Sequence, residues 1–264
     1  MMNLYVAVKL LKKFSIDPDT YMVTVTRFAA WIIGTHSGLR EGDQVSLKDL
    51  FYGMMLPSGN DAAHMIAVCF GSLLLSQSKK NSLASSSAPS PVQEFVKMMN
   101  VMAMKIGLRN TVFVNAHGLS EKGNRSTVSD LGRLGYIVMQ EPLIASIVDK
   151  QSYTPNIISR SGTPRTITWT NTNKLLEEPG FTGIKTGNTP NAGPCLSICY
   201  QAGEDSFVIT LLNSKSPEHR WTEAMKLAHW SANKIAAVKA AFLERGQTTS
   251  SKLRTRIMAG LVKY

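Results

Sequence analysis

The sequence predicts an α+β fold, with a helical first part, then an antiparallel sheet and then a closing helix. Three observations predict it. Several stretches before residue 150 carry apolar residues at helical spacing, short β-rich runs follow Gln151, and a long helical segment begins at Ser216. With 264 residues, of which 44% are hydrophobic and 18% are charged, the chain can bury one large core or two closely packed subdomains.

The first helix is predicted at the start of the chain, because Leu4, Val8 and Leu11 are spaced to share one helical face. No capping residue precedes this helix. The stretch "YMVTVTRFAAWI" that follows is predicted to be extended. Ser46 and Asp49 then form a capping box, which opens a helix over 47–56.

A serine-rich stretch separates this helix from the next ones. Residues 72–91, "SLLLSQSKKNSLASSSAPSP", are predicted to form a solvated loop of low complexity. Ser90 and Pro91 then provide a cap and a first helical residue for a helix that ends near residue 107. Thr127 and Asp130 form a further capping box, which opens "VSDLGRLGYIVMQ".

The sheet is predicted from the runs "TITWT", "GFTGIKTGNT", "CLSICYQ" and "SFVITLLN". The turn "AGEDS" between the last two is typical of an antiparallel hairpin. A long helix then runs from Ser216 to about Leu243. We therefore expect a domain over 1–246 that contains the insertion 72–91, and a basic tail helix over 247–264. Within that tail, 251–264 either packs at the periphery, which we favour, or lies on a membrane surface.

Charge and cysteine content limit the possible partners and cofactors. The chain has 29 basic and 18 acidic residues, a net charge of +11, which favours acidic partners such as cell-wall polymers or anionic lipid. The basic residues are scattered rather than arranged in a stripe, so we expect no nucleic-acid binding. The pair Cys195 and Cys199 would lie roughly 13 Å apart on a strand, too far to form a disulfide. The five histidines are isolated, and we expect no metal and no cofactor.

Two short motifs suggest a function when they are taken together. Pro57, Ser58, Gly59 and Asn60 are each common in turns, and by themselves they indicate only a change of direction. On the later strand, Lys185 can project towards a cleft while the nearby glycine leaves the backbone open to a substrate. Ser-Gly-Asn followed by Lys-Thr-Gly matches the second and third motifs of the penicillin-recognising serine enzymes.

The phrases around these motifs extend the match. The chain resembles the D-alanyl-D-alanine carboxypeptidases, or low-molecular-mass penicillin-binding proteins, in "GLREGDQVSLKDLFYGMMLPSGNDAA", "MNVMAMKIGLRNTVFVNAHGLSEKGNRSTVSDLGRL", "NTNKLL" and "GFTGIKTGNTPNAGPCLS". This resemblance runs from residue 1 to about residue 232. It implies a β-lactamase/transpeptidase-like fold and a serine acyl-enzyme cycle that cleaves the D-Ala-D-Ala bond of a peptidoglycan stem peptide.

The resemblance also implies a role for each motif residue. Ser58 would pass a proton to the departing D-alanine, and Asn60 would hold the substrate's amide backbone. Lys185 would hydrogen-bond near Ser58 and attract the terminal carboxylate. Thr186 would donate its hydroxyl to that carboxylate, and Gly187 would leave room for the substrate backbone.

His117 and a literal Ser-x-x-Lys sequence are interpreted separately from these motif residues. His117, in "NAHGL", is expected to hold a loop rather than to act in catalysis. A literal Ser-x-x-Lys occurs at Ser76–Lys79, but it follows Ser58 in the chain and lies in the serine-rich stretch, so we attribute it to chance.

The first family motif, Ser-x-x-Lys, and the N-terminal strands would precede Met1. We therefore expect either a truncated record of a working enzyme or a chain that has lost its chemistry. In both cases the 264 residues would neither hydrolyse D-Ala-D-Ala peptides nor be acylated by penicillin, and β-lactams would bind non-covalently at most.

Two alternatives remain open. The first is a non-catalytic module that binds peptide or cell wall, and the second is a β-lactamase-like hydrolase, which would need an additional general-base carboxylate. The family is exported to the periplasm or beyond the cell. The stretch "MMNLYVAVKLLKKF" does not resemble a signal peptide, so the compartment stays open.

Overall fold

The computed structural model describes residues 1–79 and 89–244. Eight helices lie in these ranges: α1 Met2–Phe14, α2 Arg27–Ala30, α3 Leu47–Met55, α4 Asn60–Lys79, α5 Pro91–Lys105, α6 Val128–Met139, α7 Pro142–Val148 and α8 His219–Glu244. Nine strands accompany them: β1 Met22–Thr24, β2 Gln44–Ser46, β3 Ser152–Tyr153, β4 Ile157–Ile158, β5 Pro164–Arg165, β6 Trp169–Thr170, β7 Phe181–Thr189, β8 Gly193–Ala202 and β9 Asp205–Leu211. The predicted α+β order is therefore confirmed.

The helical part forms around α1, which is buried along nearly its whole length. Apolar residues cover most of its surface, as expected for a helix enclosed on all sides. It packs against α4, α5 and α7. Leu4, Phe51, Phe70 and Phe95 have no exposed surface and lie in this core.

The main sheet has the strand order β7-β8-β9, and all of its pairs are antiparallel. The predicted hairpin is confirmed, since β8 and β9 pair down to Ala202 and Asp205. One face of the sheet packs against α8 through Trp221, Ala224 and Ala228 in a second apolar cluster. Small residues on the helix let it lie close to the strands.

Short strands connect the helical part to the main sheet. One antiparallel sheet has the order β1-β2-β4-β5, and β3 pairs with β6. Tyr52 on α3 stacks on Tyr153 of β3, with ring centroids 3.7 Å apart. The Tyr153 hydroxyl donates to the Asp49 carboxylate over 2.6 Å.

The predicted caps are found where helices begin. Ser46, Ser90 and Thr127 each accept a hydrogen bond from the backbone three residues later. The loop prediction over 72–91 is wrong for residues 72–79, which continue α4. Leu74 packs into the core, and the hydroxyls of Ser72 and Ser78 donate to carbonyls four residues back, which lets serines sit inside a helix. The rest of the predicted loop (80–88) and the predicted tail helix lie outside the described residues.

Candidate active site

A cavity of about 780 Å³ lies where α1, the turn before α4, β7 and the loop 115–126 meet. Ser58, Lys185, Gly187 and His117 line it. Its volume lies within the range of about 300–1,000 Å³ that is usual for sites that bind small ligands. Two residues that are 127 positions apart in sequence, Ser58 and Lys185, therefore face the same open cavity.

The turn between α3 and α4 presents Ser58 to this cavity. Its φ is 62°, in the left-handed region that non-glycine residues adopt mainly at constrained sites. Gly59 is required beside it, because a Cβ there would lie 2.7 Å from the Gly53 carbonyl oxygen and 2.6 Å from an Asp61 carboxylate oxygen. The turn is thus fixed by close packing on both sides.

Asp61 stabilises the same turn through buried hydrogen bonds. Its fully buried carboxylate accepts hydrogen bonds from the Ser37 backbone N–H, the Ser37 hydroxyl and the Leu39 N–H, at 2.8–3.1 Å. These bonds tie residues 37–39 to the first turn of α4. Sequence reasoning missed this residue, since an aspartate in the first turn of a helix already has a local explanation.

Lys185 makes the central contact of the site. Its Nζ donates to Ser58 Oγ over 2.7 Å and to the Thr186 carbonyl over 2.8 Å. Burial, followed by repulsion from Arg220, lowers the pKa of Lys185 to about 7. Close to neutral pH the amine therefore takes up or releases a proton readily.

Arg220, in the first turn of α8, supports the strands that carry this lysine. Its Nη1 donates to the Gly187 carbonyl over 3.2 Å and to the Cys195 carbonyl over 3.3 Å. These two residues are partners in the register of β7 and β8. The guanidinium therefore joins both strands at the edge of the cavity.

Two of the predicted site residues do not reach the cavity. Thr186 points to the other face of β7, where its hydroxyl hydrogen-bonds Thr172 at 2.6 Å, as the alternation of a strand requires. Asn60 turns its amide to the Ile33 carbonyl at 2.8 Å. Ser58, Lys185 and Gly187 line the cavity, whereas the side chains of Asn60 and Thr186 hydrogen-bond elsewhere.

His117 lines the cavity from the loop 115–126. Its Nδ1 accepts from the Leu119 N–H over 3.3 Å, and burial lowers its pKa. The ring is therefore neutral at pH 7, and its hydrogen bond stabilises the loop that carries it. Asn115 closes the loop further, since its side chain bonds the Gly118 N–H and the Leu119 carbonyl.

Asn3 joins three parts of the site and was also missed. The side chain is buried, and its Nδ2 donates to the Ala63 carbonyl over 3.1 Å and to the Ala116 carbonyl over 2.9 Å. It thereby connects α1 to α4 and to the His117 loop. A polar residue within an apolar helix was the only signal for it in the sequence.

The literal Ser-x-x-Lys at Ser76–Lys79 lies away from the cavity. Ser76 is on the surface of α4, and its hydroxyl donates to the Leu73 carbonyl. A second match, Ser231–Lys234, is on α8. Neither serine lines the cavity.

Within 1–79 and 89–244, no group of three or more His, Cys, Asp or Glu side chains could hold a metal ion. No helix in these ranges has the length and apolar character needed to cross a bilayer.

Comparison with known proteins identifies the family. Over residues 77–216, more than half of the chain, the sequence matches the family model described as D-alanyl-D-alanine carboxypeptidase. The chain belongs to the D-alanyl-D-alanine carboxypeptidase family. The resemblance drawn from the motifs is therefore confirmed.

Individual carboxypeptidases agree with this assignment. The D-alanyl-D-alanine carboxypeptidase of Streptomyces sp. strain K15 is 34% identical over 191 residues, which cover 72% of this chain and 62% of that protein. The carboxypeptidase DacD of Escherichia coli K12 is 29% identical over 261 residues, covering 96% of this chain and 60% of that protein. The chain spans about half to three fifths of the length of these curated relatives.

A solved structure confirms the transpeptidase-like fold. The crystal structure of the Streptomyces K15 DD-transpeptidase superposes with a TM-score of 0.76 at 29% identity, covering 87% of this chain and 85% of that chain. The α+β architecture of this carboxypeptidase family member therefore extends over most of the described residues.

Proposed function

We propose that the cavity binds the free carboxyl end of a D-Ala-D-Ala peptide, as found in peptidoglycan stem peptides. We further propose that Ser58 and Lys185 form the proton-transfer pair of a serine-type D-Ala-D-Ala carboxypeptidase site. The observation that carries this proposal is the 2.7 Å hydrogen bond from Lys185 Nζ to Ser58 Oγ inside the cavity.

The direction of that hydrogen bond determines what Ser58 can do. Because the lysine donates, the serine oxygen is the acceptor and its own proton stays available. In a site that also holds the nucleophilic serine, that serine would form an ester with the acyl group as the peptide C–N bond breaks, Ser58 would give its proton to the departing D-alanine nitrogen, and Lys185 would replace that proton. The lowered pKa of Lys185, about 7, suits an amine that must release a proton and regain it near neutral pH.

Recognition of the carboxylate uses the same lysine in its protonated form. An ammonium group in a partly desolvated site attracts an anion more strongly than one in bulk water. Gly187 lies on the same face of β7 and leaves the backbone accessible. Thr186 points to the opposite face, so its hydroxyl would not contact the ligand directly.

Whether the polypeptide hydrolyses the peptide or only binds it depends on the presence of a nucleophile. Before Ser58 the sequence has serines at positions 15, 37 and 46, and none has a lysine three residues later. We therefore propose that the polypeptide of residues 1–264 binds such peptides without turning them over. A β-lactamase-like activity is disfavoured, because Glu121 is the one carboxylate among the described lining residues and its Oε2 is bound by the Asn115 amide over 3.0 Å.

The cellular setting follows from the same proposal. We infer that the natural partner is peptidoglycan or a related D-Ala-D-Ala polymer outside the cytoplasm. The net charge of +11 suits an anionic cell-wall polymer. β-Lactams would occupy the cavity without forming a covalent bond.

Calorimetric titration with diacetyl-L-lysyl-D-alanyl-D-alanine tests the proposal. We expect this peptide to bind, and its L-Ala-L-Ala counterpart to bind at least tenfold more weakly. Lys185→Gln should abolish binding, whereas the exposed Lys150→Gln should leave it unchanged.

Equal binding of the two stereoisomers, or none of either, would contradict the proposed ligand. A gel with labelled penicillin separates binding from catalysis. A covalent adduct on the 264-residue polypeptide would refute the non-catalytic part of the proposal.

A further inference from the structure

The loop 115–126 contributes cations to the cavity wall that the proposed proton transfer does not use. Lys122 and Arg125 both line the cavity from the loop 115–126, in addition to Lys185. The one carboxylate among the described lining residues is that of Glu121. Positive side chains therefore outnumber negative ones around this space.

Neither additional cation is neutralised within residues 1–79 and 89–244. No ion pair there includes Lys122 or Arg125. Glu121 is their neighbour in sequence, yet its carboxylate accepts from the Asn115 side chain instead. Among the described residues, these two exposed side chains thus have no partner of opposite charge.

The loop that carries these cations is fixed to the rest of the protein at several points. Arg125 pairs with Val112 through two backbone hydrogen bonds, 2.9 and 3.0 Å long. Ser120 hydrogen-bonds Thr189, at the end of β7, over 2.8 Å. A charged site on a fixed loop loses less conformational entropy when a ligand binds than one on a free loop.

We propose that Lys122 and Arg125 form a second anion subsite that selects peptides with a free side-chain carboxylate on the residue before D-Ala-D-Ala. This inference rests on the proposed function, in which the terminal carboxylate lies near Lys185. In this binding mode the preceding residue would extend along the cavity, and its side chain would face the loop 115–126. A neutral side chain leaves the two cations unpaired.

Two peptides of nearly equal shape test this selection. N-acetyl-L-Glu-D-Ala-D-Ala and N-acetyl-L-Gln-D-Ala-D-Ala differ only in a carboxylate against a carboxamide. At low ionic strength we expect the glutamyl peptide to bind about fivefold more tightly, and the difference to shrink with added salt, because charges near solvent are screened.

Paired variants show whether the effect is local. The double variant Lys122→Gln/Arg125→Gln should bind both peptides equally, with the affinity of the glutaminyl peptide. The double variant Lys150→Gln/Lys226→Gln removes the same charge from exposed sites outside the cavity and should keep the fivefold preference.

The outcomes separate this inference from the proposed function. If both peptides bind the unmodified protein equally, the second subsite is refuted while the D-Ala-D-Ala site stands. If the control variant loses the preference as well, net charge is the cause and the subsite is again refuted. If neither peptide binds, the proposed function itself fails and this inference fails with it.

Discussion

Lys185 is a lysine whose surroundings disfavour its charged form. Its pKa falls from the usual 10.5 to about 7, first through burial and second through the positive charge of Arg220. A bound carboxylate stabilises the ammonium form, so binding and protonation are linked. The affinity of the site should therefore depend on pH in a range where ordinary lysines do not titrate.

We expect the affinity for a carboxylate-terminated D-Ala-D-Ala peptide to fall above pH 7, because the fraction of protonated Lys185 falls there. Between pH 6.5 and pH 8.5 the loss should be roughly ten- to thirtyfold for a group of this pKa. Titration calorimetry at several pH values measures it. The same peptide with a C-terminal amide is the control and should show no such fall, and a flat profile for the acid would contradict the role of Lys185.

Sequence reasoning predicted part of the site at this scale. Alternation along a strand was enough to place Lys185 and Gly187 on one face, and the motif order linked them to Ser58. The orientations of Asn60 and Thr186 depend on Ile33 and Thr172. The contact of Asn60 with Ile33 is tertiary, so no local pattern specifies it, whereas the alternation of the strand alone turns Thr186 away from Lys185 and Gly187.

The α3–α4 turn is the element that holds the serine in place. Gly59→Ala would force its new Cβ against the Gly53 carbonyl and the Ser37 side chain, at 2.7 and 2.8 Å. We expect a loss of about 1–3 kcal/mol in the free energy of unfolding, the usual cost of overpacking. Chemical denaturation measures this loss.

A helical glycine provides the matched control for this substitution. At Gly132 on α6 the nearest atom to an added Cβ is the Thr210 hydroxyl oxygen, 3.8 Å away. Gly132→Ala should therefore be neutral or stabilising, because alanine favours a helix more than glycine does. Equal stability changes in the two variants would argue against a tightly packed turn.

Elements with local signals were predicted well, and elements that depend on packing were not. The caps at Ser46, Ser90 and Thr127 and the hairpin after β8 each lie within a few residues of their signal. The last two turns of α4 were mistaken for a loop, because serine content was weighted above the burial of Leu74. That burial arises in the core where the next helix, α5, packs against α4, and local composition does not reveal such packing.

For the whole molecule, we propose that the domain ends near residue 246 and that 247–264 is a separate tail. The described part of α8 supports this division, since Ser231 is its last buried residue. A chain that ends at residue 246 should unfold within about 2 °C of the full chain, which corresponds to less than about 1 kcal/mol at this size. Calorimetry of both chains tests the boundary, and a larger drop would place the tail within the folded core.

Arg220 gives the closing helix a direct connection to the ligand cavity. Its guanidinium bonds the carbonyls of Gly187 and Cys195, while Trp221, the next residue, packs into the core beneath the sheet. A tilt of α8 would therefore displace the ends of β7 and β8, and with them the lysine. The packing of this helix would therefore influence the proposed binding site, and we expect substitutions under the sheet to alter ligand affinity without contacting the ligand.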